Sequence, residues 1–222
     1  MYRKEFYKKG REAPLKLSRP RLPLMIFLLM ILGSLLVGFL VIYEIVATHS
    51  RGEYLRLENR FIKIDLPRNW FVYSWKIENS TGDIYNVFLA PSDLLSVIIF
   101  KIHDEEATQN FMKEYNLTDA LSVATFEIER VYNWTQSKNE NASIIFEETG
   151  EIELFKKQAG YSKIIVKDGI ETDGKFYDMS FLMMSYIQNQ KLVEIAFWGK
   201  KEDCEKMSDL FETILNSTEI RM

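Results

Sequence analysis

Residues 61–70 read Phe-Ile-Lys-Ile-Asp-Leu-Pro-Arg-Asn-Trp, and the chain's fold is read outward from this decapeptide. A strand is expected over 60–65. Pro67 has no amide donor and so ends its pairing. Trp70 can then fold back as a large aromatic anchor for a core.

Downstream, strands are expected over 70–77, 84–90 and 94–102. The run Leu94-Leu95-Ser96-Val97-Ile98-Ile99-Phe100-Lys101-Ile102 is apolar at both alternating sets of positions. Such a strand is covered on both faces and belongs inside a sheet. Two helices follow. Asp104 is an N-cap candidate with Glu105 and Glu106 in the first turn, and Ala107, Phe111 and Tyr115 recur every four residues. Thr118 or Asp119 caps the second helix, where Leu121, Ala124, Ile128 and Val131 mark one face.

Then comes a meander, with strands expected over 143–147, 151–157, 161–170, 174–187 and 191–198. Thr149-Gly150, Asp173-Gly174 and Asn189-Gln190 punctuate it as turns. Tyr177, Met179, Phe181, Met183 and Ile187 share one strand face, as do Val193, Ile195 and Phe197 on the next. A last helix is expected near 202–216, with Met207, Leu210, Phe211, Ile214 and Leu215 as its apolar stripe. This order gives an α+β domain over 59–222, with a mostly antiparallel sheet packed by helices.

Upstream, residues 48–58 read as a juxtamembrane stalk leading into a first strand. From Leu24 to Tyr43 there is no charged residue. Twenty residues at ~1.5 Å each match a hydrocarbon core of ~30 Å, so residues 22–47 are expected to form a transmembrane helix. A cleaved signal peptide would carry a shorter apolar core of ~7–15 residues, so a retained signal-anchor is expected. Residues 1–21 hold eight Lys or Arg against two Glu. The chain is −4 overall and this arm +6, leaving −10 for the rest. Basic residues beside a span stay cytoplasmic, so the arm is expected inside a cell membrane and the single-pass chain's C-terminal domain outside. The acidic domain would repel phosphates, which argues against nucleic acid as a partner.

Five of eleven asparagines open N-glycosylation sequons: Asn79, Asn116, Asn133, Asn141 and Asn216. Their use would require an exterior domain. The single cysteine, Cys204, allows no internal disulfide framework.

The decapeptide resembles the opening of PsbP-like domains, in which a short strand ends at a Leu-Pro or Tyr-Pro step and a Trp follows. The order of hairpins, central helices, long meander and C-terminal helix over about 54–217 is also similar. The resemblance implies an α/β/α sandwich with an antiparallel sheet. It implies no catalytic residues, because the members known from photosynthesis are extrinsic accessory subunits.

Motifs for catalysis are missing from the sequence: no G-x-S-x-G elbow, no P-loop, no H-E-x-x-H and no dinucleotide fingerprint. A Cys204–His103 dyad, a metal at His103–Glu106 and a calcium loop at Asp168, Glu171 and Asp173 each have a simpler structural reading: a helix start, a capped helix and a hairpin tip. Phe71, Tyr73 and Trp75 alternate onto one strand face, with core packing as the expectation and a sugar platform or docking patch as the alternative. Met179, Met183 and Met184 are expected to fill the core rather than bind copper. The chain therefore reads as non-enzymatic and without a cofactor. It is expected to serve as an accessory or docking subunit for another membrane or envelope protein, its other partner being the lipid bilayer. The alternative is an exterior receptor for a small ligand or ion in a cleft between sheet and helices.

Overall fold

The computed structural model describes residues 54–92 and 95–221. The basic arm and the Leu24–Tyr43 span lie outside the described residues. Among those described, no helix is long and apolar enough to cross a membrane.

The described chain forms two sheets in which every paired strand is antiparallel. The small sheet has the order β1 (Tyr54–Glu58), β2 (Ile62–Pro67), β10 (Glu219–Ile220). The large sheet has seven strands. Its order is β3 (Trp70–Asn79), β4 (Gly82–Pro91), β5 (Ser96–His103), β9 (Lys191–Lys200), β8 (Lys175–Gln188), β7 (Lys157–Thr172) and β6 (Ser143–Leu154). The doubly apolar run is thus an internal strand, as its covered faces require.

The helices take opposite sides. α1 (Glu105–Glu114) and α2 (Ala120–Lys138) lie on one face of the large sheet, called the rear. α3 (Lys201–Lys206), α4 (Ser208–Ser217) and the small sheet pack on the front face. The Asp104 side chain accepts from the Ala107 amide at 2.8 Å and caps α1. Asp119 and Ser122 cap α2 reciprocally, at 2.7 Å and 3.1 Å. α2 begins directly on β7: a Cβ added at Gly160 would lie 2.3 Å from the Leu121 Cα, so only glycine permits this approach.

Period-two alternation builds the front core. Ile62, Ile64 and Leu66 of β2 are fully buried against Leu89, Ile98, Phe100 and Ile195. Pro67 is the last residue of β2, and Trp70, 8% exposed, enters this core beside residues of α4. Phe197 and Phe211 stack at 4.4 Å between centroids, which ties α4 to β9. A rear core joins Ala124 and Ile128 of α2 to Ile164, Val166, Met179 and Met183. Met184, on the other side of its strand, goes to the front core.

Three local expectations fail. Thr149-Gly150 is not a turn, and 143–147 and 151–157 are not separate strands: β6 runs unbroken through both positions. Gly150 is instead the gap opposite a ring, since a Cβ there would stand 3.0 Å from Tyr161 Cε1. The turn falls at Phe155-Lys156, with φ of 52° and 62°. That is the primed-turn backbone without glycine or asparagine. The last helix breaks at Met207, which is drawn into the core, where its sulfur accepts from the Ser96 hydroxyl. Asp173-Gly174 and Asn189-Gln190 do form hairpin turns with positive φ.

Candidate functional site

Alternation along β3 sends Trp70 and Val72 to the front and Phe71, Tyr73 and Trp75 to the rear. The expectation that these three pack in a core fails for Phe71 and Tyr73, while Trp75 is half-buried. Phe71 is 66% and Tyr73 65% exposed, and Tyr73 stacks on Trp75 at 5.3 Å. The reason is where the helices land. α2 lies over β6, β7 and β8, and α1 over β4, β5 and β9. Neither packs extensively on β3. The register continues these aromatics inward in two rows: Tyr73–Phe88–Ile99–Ala196, and Trp75–Asn86–Lys101–Glu194.

β3 is also an edge strand. Its ten residues pair without a bulge on one side only. From Phe71 to Trp75 it carries no charge and no proline. Edges of this length are normally blunted by lysine, proline or a bulge. Here Lys76 and Glu78 stand only at the far end, bonded to each other at 2.9 Å.

The second row ends in a buried charge cluster. Glu194, 1% exposed, lies 2.6 Å from His103 Nε2 and 3.5 Å from Lys101 Nζ. Lys101 also faces Glu127 of α2 at 3.6 Å, and Arg130 holds Glu127 at 2.6 Å. Burial alone would raise Glu194, but the attraction of Lys101 and the hydrogen bond and charge of His103 outweigh it and hold the carboxyl below its ordinary value. Burial would lower Lys101, yet Glu194 and Glu127 together hold its ammonium above its ordinary value. His103 Nδ1 is buried without a hydrogen-bond partner among the described residues. Sequence reasoning placed no role on Lys101 or Glu194. The signal was one carboxylate inside the apolar run Leu192–Trp198.

On the front, a cleft of about 590 Å³ opens between β6, β7 and β8 and the two C-terminal helices. Its floor includes Leu182, Met184, Phe197, Phe211 and Leu215, and Lys163, Ser180, Lys201 and Cys204 line it as well. Burial pushes the Cys204 thiol up to about 12.

The remaining sequence candidates disperse. Cys204 belongs to the front core and His103 pairs with Glu194 on the rear, so the sheet separates the dyad. Asp104 is spent on the α1 cap and on the Asp83 amide at 2.9 Å. The Asp168 amide donates to Asp178 at 3.2 Å beside a register shift in β7, and Asp173 forms the next turn. Of the sequon asparagines, Asn116, Asn133, Asn141 and Asn216 are exposed. Asn79 ends β3.

No family model matches the chain, and no curated protein matches it. Solved structures do resemble it. The solution structure of cyanobacterial PsbP (CyanoP) from Synechocystis sp. PCC 6803 is 12% identical, covering 78% of this chain and 96% of that one at a TM-score of 0.43. A crystal structure from Bacteroides thetaiotaomicron VPI-5482 is 12% identical, covering 78% of this chain and 50% of that one at 0.37. PA94 of Pseudomonas aeruginosa, a protein of unknown function described as a putative regulator, is 5% identical over 72% of this chain and 92% of its own at 0.28.

Proposed function

We propose that this chain is a non-enzymatic, membrane-anchored docking module, whose exterior domain presents the rear of β3 to another membrane or envelope protein. The observation that supports it most is the exposed aromatic pair Phe71 and Tyr73 on an edge strand, with half-buried Trp75 stacked beside Tyr73. A partner's extended segment would add a strand to β3 through backbone hydrogen bonds, and its side chains would lie on the aromatic row. Tyr and Trp suit such a surface because each buries a large apolar body and keeps a polar handle. The decapeptide, with Pro67 closing β2 and Trp70 buried, favours reading the domain as PsbP-like.

The test is a photo-crosslinking amino acid at position 73 of the full chain in native membranes, with position 147 on the opposite edge strand as control. One adduct of defined mass is expected from 73 and none from 147. Tyr73→Ser should weaken an adduct formed from position 71 and leave the melting temperature within about a degree, as exposed substitutions do. Equal adducts from 73 and 147 would sink the docking edge.

Orientation has its own test. Protease added to sealed cells is expected to remove residues 54–217, because the arm of eight basic residues retains the N-terminus inside. Full protection of that domain would reverse the topology.

A second reading, a receptor for a small ligand, draws on the 590 Å³ front cleft, whose size and apolar lining match ligand sites generally.

A further inference from the structure

We infer that the front cleft binds a single-chain anionic amphiphile, with Lys163 holding its carboxylate or phosphate head and the apolar floor holding its chain. This rests on the receptor reading and names the ligand class for that cleft.

The cleft is polarised. The register gives the row Glu148–Lys163–Leu182–Phe197, so it runs from a charged pair at the edge of the sheet to apolar side chains further in. Lys163 is half-buried, and among the described residues it forms no ion pair. Its ammonium lies 5.7 Å from the Phe146 ring centroid, a contact that leaves its hydrogen-bonding capacity unspent. The carboxylate opposite it in β6, Glu148, is held by the Tyr161 hydroxyl at 2.7 Å, so a half-buried ammonium remains that gains from a bound anion. Lys201 and Ser180 stand among the same lining residues, and Lys201 lies 3.9 Å from Glu205.

The other end is acidic. Glu153 and Glu212 also line the cleft and continue with Leu154 and Leu215 into an adjoining recess that Lys163 does not line. An anionic head is therefore repelled there and drawn to the Lys163 end, which fixes the direction of the ligand. Along β7, Lys163 and Gln158, the register partner of Glu153, lie five residues or roughly 17 Å apart, long enough for an extended alkyl chain. Met184, Phe197, Phe211 and Leu215 line the cleft between sheet and helices. The single chain of the ligand follows from that separation, and the charge of its head from Lys163.

Cys204 lines the cleft and is the chain's only cysteine, so it reports occupancy directly. The experiment measures Cys204 alkylation in the full chain held in nanodiscs, titrated with decanoate, decyl phosphate or decanol. Each rate is normalised to the ligand-free rate of the same variant, since Lys163 also acts on the thiol. Saturable protection is expected from an anionic probe at concentrations about tenfold below decanol, the gain of one charge-assisted contact. Lys163→Gln should erase that tenfold difference while decanol still protects. Decanoate acting more strongly than decyl phosphate would identify a carboxylate head, and the reverse a phosphate head.

Protection by decanol equal to that by both anions would overturn the anionic assignment and keep the receptor reading. No saturable protection by any probe would remove both. A Lys163→Gln variant that melts like the wild type but keeps the anion preference would also overturn the role of Lys163.

Discussion

Truncation of Trp70 to alanine is expected to lower stability by about 3–5 kcal/mol, the cost of removing a large aromatic from a packed core. Trp70 is 8% exposed and shares a cluster with Ile62, Leu66, Leu89 and Ile214. It therefore joins the small sheet, the large sheet and α4. Loss of the ring leaves a cavity where these three meet. Domains of this size lose roughly 2–4 °C per kcal/mol, so the melting temperature should drop by roughly 10 °C. The neighbouring Phe71→Ala makes the control. One residue along, it faces the rear and is 66% exposed, so its effect should stay within ~0.5 kcal/mol. Thermal unfolding of the full chain in detergent, followed by circular dichroism, reads both. Equal shifts for the two variants would mean that Trp70 is not the anchor of the front core.

Much of the fold was legible because local chemistry decided it. Asp104 and Asp119 cap helices where a carboxylate precedes an apolar period, and Asp173-Gly174 turns where left-handed backbone is cheap. The misreadings share one cause. Alternation tells which residues share a face, not whether anything covers that face. Phe71, Tyr73 and Trp75 align as expected, but α2 starts on Gly160 and so lies over β7 and β8, leaving their side open. Gly150 looked like a turn because the ring it accommodates, Tyr161, belongs to the next strand. Phe155-Lys156 turns without turn residues because the pairing of β6 with β7 imposes it.

The candidate sites were less legible for the same reason. The edge at β3, the cleft under α4 and the cluster at Glu194 each arise from strands far apart in the chain. Glu194 did carry a trace: a carboxylate flanked by Val193 and Ile195 in a strand with no other acid. Lys101 and His103 carried another, as the polar partners of one β5 face. What could not be read was that β5 and β9 are neighbours, so that Lys101 stands opposite Glu194.

That pairing yields the second large effect. Glu194→Gln is expected to destabilise the domain by about 3–5 kcal/mol at neutral pH, because it leaves buried charge without its partner. Lys101 would keep only Glu127, which Arg130 already engages at 2.6 Å. Acid should unmask the same site. Lys101 and His103 hold Glu194 below its ordinary value of 4.5 in the folded chain. The unfolded chain therefore takes up that proton at higher pH than the folded one. The stabilisation is complete above about 4.5 and is lost as pH falls through the lower folded value. Wild type should show this acid limb in chemical denaturation, and Glu194→Gln should lack its share of it. Replacing the pair together, Glu194→Leu with Lys101→Met, should recover most of the loss, since apolar residues of similar volume remove both desolvation costs. A single substitution costing under ~1 kcal/mol with an unchanged acid limb would show that water reaches the cluster and screens it. Recovery in the double variant would instead establish that Lys101 and Glu194 are held together against the cost of burial, across the two strands at the centre of the sheet.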